Sequence, residues 1–261
     1  MRIDRVLFVL LAVLLSGCAS GPPGTSYPGT DLVLYTKVAP FEAQVVAQEA
    51  NEFLTDLGDY LHLQVPPGNL LRIYHYPNRW GLWWHLNRAV PSFRWRRGVC
   101  YEIEEAYVVT LSGNPGRSKF RDTLRHELAH YLLAAHFCDI PPWIDEGLSQ
   151  VIASGPPFPR LEENLLDKVQ REARRAKQRG CLQLLRVPPG KSLTRSQYPV
   201  ACALTYHLLT RSSETPPSEL MRFLETTRSG VPPEQTFSES WGISMEEACR
   251  EMVAWSESGV R

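Results

Sequence analysis

Apolar residues recur at intervals of three and four along much of the chain, which is the spacing that places side chains on one side of an α-helix. Residues 41–63 follow this pattern, with Val46 and Phe53 on the same side. Further helices are predicted at 160–179, 199–211, 218–228 and 244–257. The last of these opens with Ser244 and Glu247 at the spacing of a capping box.

Two segments have the composition of β-strands. Residues 70–76 and 101–111 are rich in β-branched and aromatic side chains. The Trp-rich segment 80–86 between them is predicted to be a helix packed on the first strand, with its rings in the core rather than forming a ligand platform. Together these elements predict an α+β fold, with a small mixed or antiparallel sheet up to about residue 155 and a helical part from about residue 156.

Charge excludes one class of partner. The chain has 28 basic and 28 acidic residues, so it lacks the positive excess of a nucleic-acid-binding protein. The dense Arg and Lys residues of 160–179 are interpreted as a solvated helix face, with contact to anionic lipid as the alternative.

The N-terminus indicates export. Arg2 and Arg5 precede the apolar run 6–15, which is too short to span a membrane comfortably, and Ser16-Gly17-Cys18 follows. This resembles a bacterial lipoprotein signal, which implies a signal peptide at 1–17 and lipid attachment at Cys18. The resemblance places the protein at the periplasmic side of the outer membrane or at the cell surface. Residues 18–30 are then a flexible tether rich in Pro, Gly and Ser, and 31–261 is one domain.

Cysteine pairing stays open at this point. Besides Cys18, the chain contains Cys100, Cys138, Cys181, Cys202 and Cys249. An oxidising periplasm permits up to two disulfides in many arrangements, while buried free thiols are an equal alternative. No Cys-x-x-Cys spacing suggests a metal held by cysteines.

One motif carries chemistry. Residues 126–130 read His-Glu-Leu-Ala-His, inside a segment, 118–136, that contains no Gly or Pro. Residues four apart on a helix stand one above the other, so His126 and His130 could share one metal ion. Glu127 is rotated by about 100° from His126, where its carboxylate could deprotonate a water at that metal.

The faces of this helix separate its core side chains from its candidate ligands. Leu124, Leu128, Tyr131 and Ala135 recur at helical spacing and are expected to face a core, whereas the two histidines lie on another face.

Two positions could supply a third ligand. His136 follows His130 by six residues, but Leu133 occupies the place where a helix-ending glycine would be needed. On an unbroken helix six residues turn through about 600°, so His136 is expected to face away from the metal. Glu146 is the better candidate.

Glu146 lies in a second predicted helix. Residues 142–150 read Pro-Trp-Ile-Asp-Glu-Gly-Leu-Ser-Gln, with proline at a first helical position and acids in the first turn. An antiparallel helix here could present Glu146 to the histidine pair. Asp145 is interpreted as a solvated acid.

The His-Glu-x-x-His motif followed by Trp143-x-x-Glu146-Gly147 resembles the gluzincin zinc metallopeptidases. The resemblance implies a zincin-like fold in which His126, His130 and Glu146 hold Zn²⁺ and Glu127 is the general base. Some gluzincins place an aspartate four residues after the glutamate ligand, where this chain has Gln150. The aminopeptidase segment Gly-x-Met-Glu-Asn is missing, so the resemblance implies an endopeptidase.

Other roles also follow from the resemblance. Gluzincins often take an oxyanion stabiliser from the downstream helices, which makes Tyr198 the first candidate, ahead of Tyr206 and His207. In zincins the strand before the zinc helix commonly pairs with substrate, so 101–111 is expected to bind an extended peptide or protein through backbone hydrogen bonds.

Two alternatives remain open. The chain could be a zinc-binding envelope lipoprotein with a structural or binding role and little or no catalysis, or it could cleave peptidoglycan cross-links.

Overall fold

The computed structural model describes residues 24–26, 32–64, 71–93, 96–103, 106–137, 139–211, 217–227, 231 and 233–258. The predicted signal peptide and Cys18 lie outside the described residues, as does most of the predicted tether at 18–30. The prediction of a flexible tether is wrong for residues 24–26, which form a strand paired with residues 33–35. The chain divides into two compact units, one formed by 1–49 and 68–120 and the other by 50–67 and 121–261.

The first unit contains a mixed β-sheet. Its strands are β1 (Gly24–Ser26), β2 (Leu32–Thr36), β3 (Leu71–Tyr76), β4 (Gly98–Ile103) and β5 (Ala106–Ser112). Strands β2, β3 and β5 are parallel neighbours, and β4 pairs antiparallel with β5 at one edge. The short strand β1 pairs antiparallel with β2 at the other edge.

Helices form the parallel crossovers, as parallel pairing requires. Helix α1 (Pro40–Leu61) lies between β2 and β3 in the chain, and α2 (Arg79–Ala89) follows β3. These bounds agree with the predicted helices at 41–63 and 80–86. The single predicted strand at 101–111 is wrong, because Ile103 pairs with Ala106 and the chain reverses between them. Two glutamates stand at this reversal in the sequence, and acidic residues are depleted in strands.

Helix α2 buries leucines rather than tryptophans. Leu82 and Leu86 are buried and pack with Val99, whereas Trp80 is 74% exposed and Trp84 is 52% exposed. The prediction that the aromatic rings of this segment lie in the core is therefore wrong for these two residues. Both pairs have a spacing of four residues, so periodicity alone cannot decide which pair faces the sheet.

A buried histidine connects the ends of three segments of the sheet. His75 Nε2 donates to the carbonyl of Gly113 at 2.7 Å, and the Thr36 hydroxyl lies 3.0 Å from His75 Nδ1. The backbone N–H of Val38 donates to the same hydroxyl at 3.2 Å. Thr36 can therefore donate to a neutral imidazole, and every polar atom of this ring has a partner.

The second unit is helical. It contains most of α3 (Ser118–His136) and all of the following helices. Their bounds are Pro142–Ile152 for α4, Glu163–Leu185 for α5, Gln197–Arg211 for α6, Ser218–Thr227 for α7, Pro233–Trp241 for α8 and Met245–Ser258 for α9. Helix α5 is broken at Lys177, where φ is 55°. The architecture is the predicted α+β arrangement of a mixed sheet followed by a mainly helical part.

Aromatic packing fixes α4 in this unit. Trp143 is fully buried, and its ring centroid lies 5.6 Å from that of Phe223 and 6.0 Å from that of Phe237. Helix α8, which supplies Phe237, was not predicted as a separate helix. The capping position is confirmed, because Ser244 Oγ accepts the backbone N–H of Glu247 at 3.1 Å.

A disulfide joins Cys181 of α5 to Cys249 of α9. Cys202 is a buried thiol, and burial raises its pKa to about 12. Cys138 lies outside the described residues. Within the residues that the structure does describe, no helix combines the length and the apolar character needed to cross a bilayer.

Candidate metal centre

Two imidazoles meet on one face of α3. The predicted helix is confirmed without interruption from Ser118 to His136, so His126 and His130 stand one turn apart. Their Nε2 atoms lie 3.1 Å apart. On the core face of the same helix, Leu124 and Leu128 are fully buried, as predicted.

A carboxylate from α4 faces both imidazoles. This helix begins at Pro142, because proline is favoured at the first helical position. Glu146 therefore lies in the first turns of the helix. Glu146 Oε2 lies 3.4 Å from His126 Nε2 and 3.6 Å from His130 Nε2. One potential ligand atom from each of the three residues falls within 4.8 Å of the others, so this group could hold a metal ion.

Glycine at 147 permits the helix packing behind this carboxylate. A Cβ atom on Gly147 would lie 2.6 Å from the carbonyl oxygen of Ala201, so a larger residue would push α4 away from α6. At this close contact, Tyr198 of α6 donates its hydroxyl proton to Glu146 Oε1 at 3.0 Å. Glu146 thus has one oxygen facing the histidines and the other held by Tyr198.

Acidic groups also surround His130. Its Nδ1 lies 2.8 Å from Asp145 Oδ1 and 3.2 Å from the hydroxyl of Ser149. Burial alone would lower the pKa of His130, but Asp145 and then Glu146 outweigh burial and raise that pKa well above its usual value. The interpretation of Asp145 as a solvated acid is wrong, because its carboxylate is the hydrogen-bond partner that orients this ring.

Glu146 is ionised in this surrounding. Burial would raise its pKa, but hydrogen bonds from His126 and His130 and the charges of both rings lower that pKa below its ordinary value. A metal ion binds ionised carboxylates and neutral imidazoles, so a cation bound here would displace the proton of His130.

His126 has fewer contacts behind its ring than His130 has. His126 Nδ1 is buried and has no hydrogen-bond partner among the described residues. An aspartate four residues after Glu146 would be the expected partner by resemblance to some gluzincins, and this chain has Gln150 there. The two rings therefore differ, since only His130 has a carboxylate behind it.

Glu127 follows His126 on α3 and is only 7% exposed. We call His126, His130 and Glu146 the metal group. Tyr198, another predicted site residue, contacts this group through its hydrogen bond to Glu146.

Three further residues are engaged elsewhere. The rings of Tyr206 and His207 lie 5.8 and 6.0 Å from that of Trp255 in α9. His207 also lies 3.5 Å from the carboxylate of Glu251. His136 contacts the carbonyl of Gln64, in agreement with the prediction that it is not a metal ligand.

Comparison with known proteins assigns no family: no protein-family model matches the chain, and no curated protein matches it. The metal group thus has to be interpreted from its own residues and geometry.

Proposed function

We propose that this chain is a zinc-dependent metallopeptidase of the gluzincin type, anchored in a bacterial cell envelope by lipid on Cys18. The observation that carries the proposal is the convergence of His126, His130 and Glu146, with Glu127 beside the first histidine on the same helix.

The donor set fits zinc. Catalytic zinc sites commonly use three protein ligands, drawn from histidine nitrogens and carboxylate oxygens, and leave one position for water or substrate. A zinc ion held here would act as a Lewis acid and would lower the pKa of water in the site to about 7. The zincin-like fold belongs to the same proposal, supported by the order of a mixed sheet, the α3 motif and a helical C-terminal part.

Three side chains have separate roles in the proposed hydrolysis. Glu127 accepts the proton of the attacking water and returns it to the leaving amine. Asp145 fixes the orientation of His130, so that Nε2 points to the metal position. The Tyr198 hydroxyl, which now donates to Glu146, would turn toward the substrate oxyanion when a peptide is bound.

The disulfide supports an exported location. Disulfides persist in oxidising compartments such as the periplasm and are rare in the cytosol. The bond between Cys181 and Cys249 therefore agrees with the export signal of the first eighteen residues. In this proposal the substrate is a peptide or protein of the envelope.

The decisive experiment compares Glu127→Gln with Glu257→Gln, a substitution of an exposed glutamate near the end of α9. Both variants are assayed on casein and on peptidoglycan after metal analysis of the purified protein. We expect Glu127→Gln to keep its zinc and lose hydrolysis by at least about 10²-fold, while Glu257→Gln matches the wild type. Hydrolysis by Glu127→Gln at the wild-type rate would exclude the proposed mechanism.

A zinc-binding role with little or no catalysis is the second candidate. The buried Nδ1 of His126, which lacks a partner among the described residues, favours it, because orienting contacts behind metal ligands support activity. Zinc bound stoichiometrically by a wild-type protein that hydrolyses neither substrate would select this alternative.

A further inference from the structure

Two tryptophans on α2 face solvent one helical turn apart. Trp80 and Trp84 are the most exposed tryptophans among the described residues, and they lie opposite the buried Leu82 and Leu86. A surface of this kind costs free energy in water, because large aromatic area stays hydrated. Paired exposed tryptophans are therefore typical of a contact site.

The same stretch of chain is strongly basic. From residue 77 to residue 101 the sequence contains five arginines and no Asp or Glu, although the whole chain is neutral. Arg79 and Arg88 lie on α2 itself and are exposed. We name the exposed side chains Arg79, Trp80, Trp84 and Arg88 the tryptophan face. Its charge complements an anionic surface.

The predicted lipid anchor lies close in the chain to strand β1, which belongs to the same unit as this face. Five residues lie between Cys18 and Gly24, the first residue of β1, so the Cα atoms of these two residues can be at most about 22 Å apart. Gly24 pairs with Tyr35 of β2, and the ring of Tyr35 stacks on that of Tyr74 of β3 at 4.6 Å. Tyr74 in turn stacks on His85 of α2 at 5.2 Å. The anchored end of the chain and α2 thus belong to one continuous set of contacts in the first unit.

We propose that the tryptophan face rests on the surface of the phospholipid bilayer that holds the lipid of Cys18. Tryptophan favours the boundary between headgroups and acyl chains, and arginine is attracted to anionic headgroups. The tether keeps the face near the bilayer at an effective concentration in the millimolar range, so a weak intrinsic affinity is sufficient. The role of the face is to orient the first unit on the membrane.

The proposal depends on lipidation of Cys18, which is part of the proposed function, and not on the metal centre. The experiment therefore replaces the natural lipid. The chain from residue 19 onward retains every described element, and its N-terminus is joined through a short peptide to a synthetic diacyl lipid. This protein is inserted into phosphatidylethanolamine and phosphatidylglycerol vesicles with brominated acyl chains, which quench nearby tryptophan fluorescence.

We expect clear quenching in the wild type and at least about threefold less in Trp80→Ala/Trp84→Ala. In the wild type, high salt should remove the part of the quenching that depends on attraction to anionic headgroups. Arg79→Gln/Arg88→Gln should lack this salt-sensitive part already at low salt. The matched control is Arg171→Gln/Arg179→Gln, which alters exposed arginines of α5. Circular dichroism establishes that each variant is folded.

Three outcomes would overturn the proposal. The first is equal quenching in the wild type and the tryptophan variant. The second is a loss of quenching confined to the α5 control. The third is a tryptophan variant that contacts vesicles like the wild type but no longer binds purified peptidoglycan in a pull-down, because the face would then bind glycan rather than lipid. Mass spectrometry of Cys18 in the protein from bacterial envelopes tests natural lipidation separately.

Discussion

Asp145 Oδ1 lies 2.8 Å from Nδ1 of His130, on the side of the ring opposite the Nε2 atom that faces His126. The carboxylate comes from α4 and the imidazole from α3, so this hydrogen bond joins the two helices that supply the metal group. It also fixes which nitrogen of His130 is available to a metal.

Replacing Asp145 should weaken metal binding. We expect Asp145→Ala to lower the zinc affinity by about 10- to 100-fold, because the ring of His130 loses its orienting carboxylate. Competition with a chromophoric chelator at fixed pH measures the affinity. Gln150→Ala is the matched control on the same helix and should bind zinc like the wild type. Equal affinities for Asp145→Ala and the wild type would contradict an orienting role.

The hydroxyl of Tyr198 should support metal binding through Glu146. Tyr198→Phe removes a hydrogen bond to an ionised carboxylate, so we expect the zinc affinity to fall by about tenfold. Tyr206→Phe is the control, because the ring of Tyr206 packs on Trp255 in α9.

Kinetics of the same variant separate two roles of this hydroxyl. At saturating zinc, a fall in kcat of about 10²-fold or more would show that the hydroxyl also stabilises the oxyanion. An unchanged kcat with weaker zinc binding would restrict Tyr198 to holding Glu146. An unchanged affinity would contradict the positioning role.

The positions of the three candidate ligands could be predicted because they follow from local sequence patterns. His126 and His130 are related by helical spacing alone, and the proline at 142 marks the start of the helix that carries Glu146. These features require no knowledge of how distant segments pack.

Asp145 could not be predicted in the same way. Its partner is 15 residues away in the chain, and an acid in the first turn of a helix already has an explanation in the helix dipole. Only the packing of α4 on α3 gives this side chain its second role.

Two other features could not be predicted from the sequence, each for a physical reason. The hairpin of β4 and β5 was predicted as one strand, because its two halves are separated by only two residues. The pairing of Cys181 with Cys249 depends on the packing of α5 against α9, which no local pattern encodes.

Gly147 should be essential for the packing of α4. A Cβ there would meet the carbonyl of Ala201 at 2.6 Å, and backbone atoms cannot move aside as a flexible side chain can. We expect Gly147→Ala to reduce the free energy of unfolding by about 1–3 kcal/mol, measured by urea denaturation. Gly116→Ala, where the nearest atom is a side-chain oxygen at 3.2 Å, should cost less than about 1 kcal/mol. Similar losses in both variants would show that the contact with α6 is not the cause.

His75 should make the stability of the protein depend on pH in the acidic range. Burial lowers the pKa of this histidine, and the Gly113 carbonyl and the charge of Glu42 offset burial only in part. In the unfolded chain the pKa returns to about 6.5. Below about pH 6.5 the unfolded chain therefore binds a proton at His75 that the folded chain does not bind. The free energy of unfolding is unaffected by this group above about pH 6.5, and it falls as the pH decreases from there toward the folded pKa.

The comparison of wild type with His75→Gln isolates this effect. The glutamine variant is less stable at neutral pH, since one of the contacts to Thr36 or Gly113 is lost. The difference in unfolding free energy between the two proteins should shrink below about pH 6.5, by at most about 1.4 kcal/mol per pH unit. Urea denaturation at several pH values measures this difference, with His62→Gln as the control, because His62 is exposed and follows the end of α1. A difference that stays constant between about pH 7.5 and pH 5 would mean that His75 takes up its proton equally in the folded and unfolded chains.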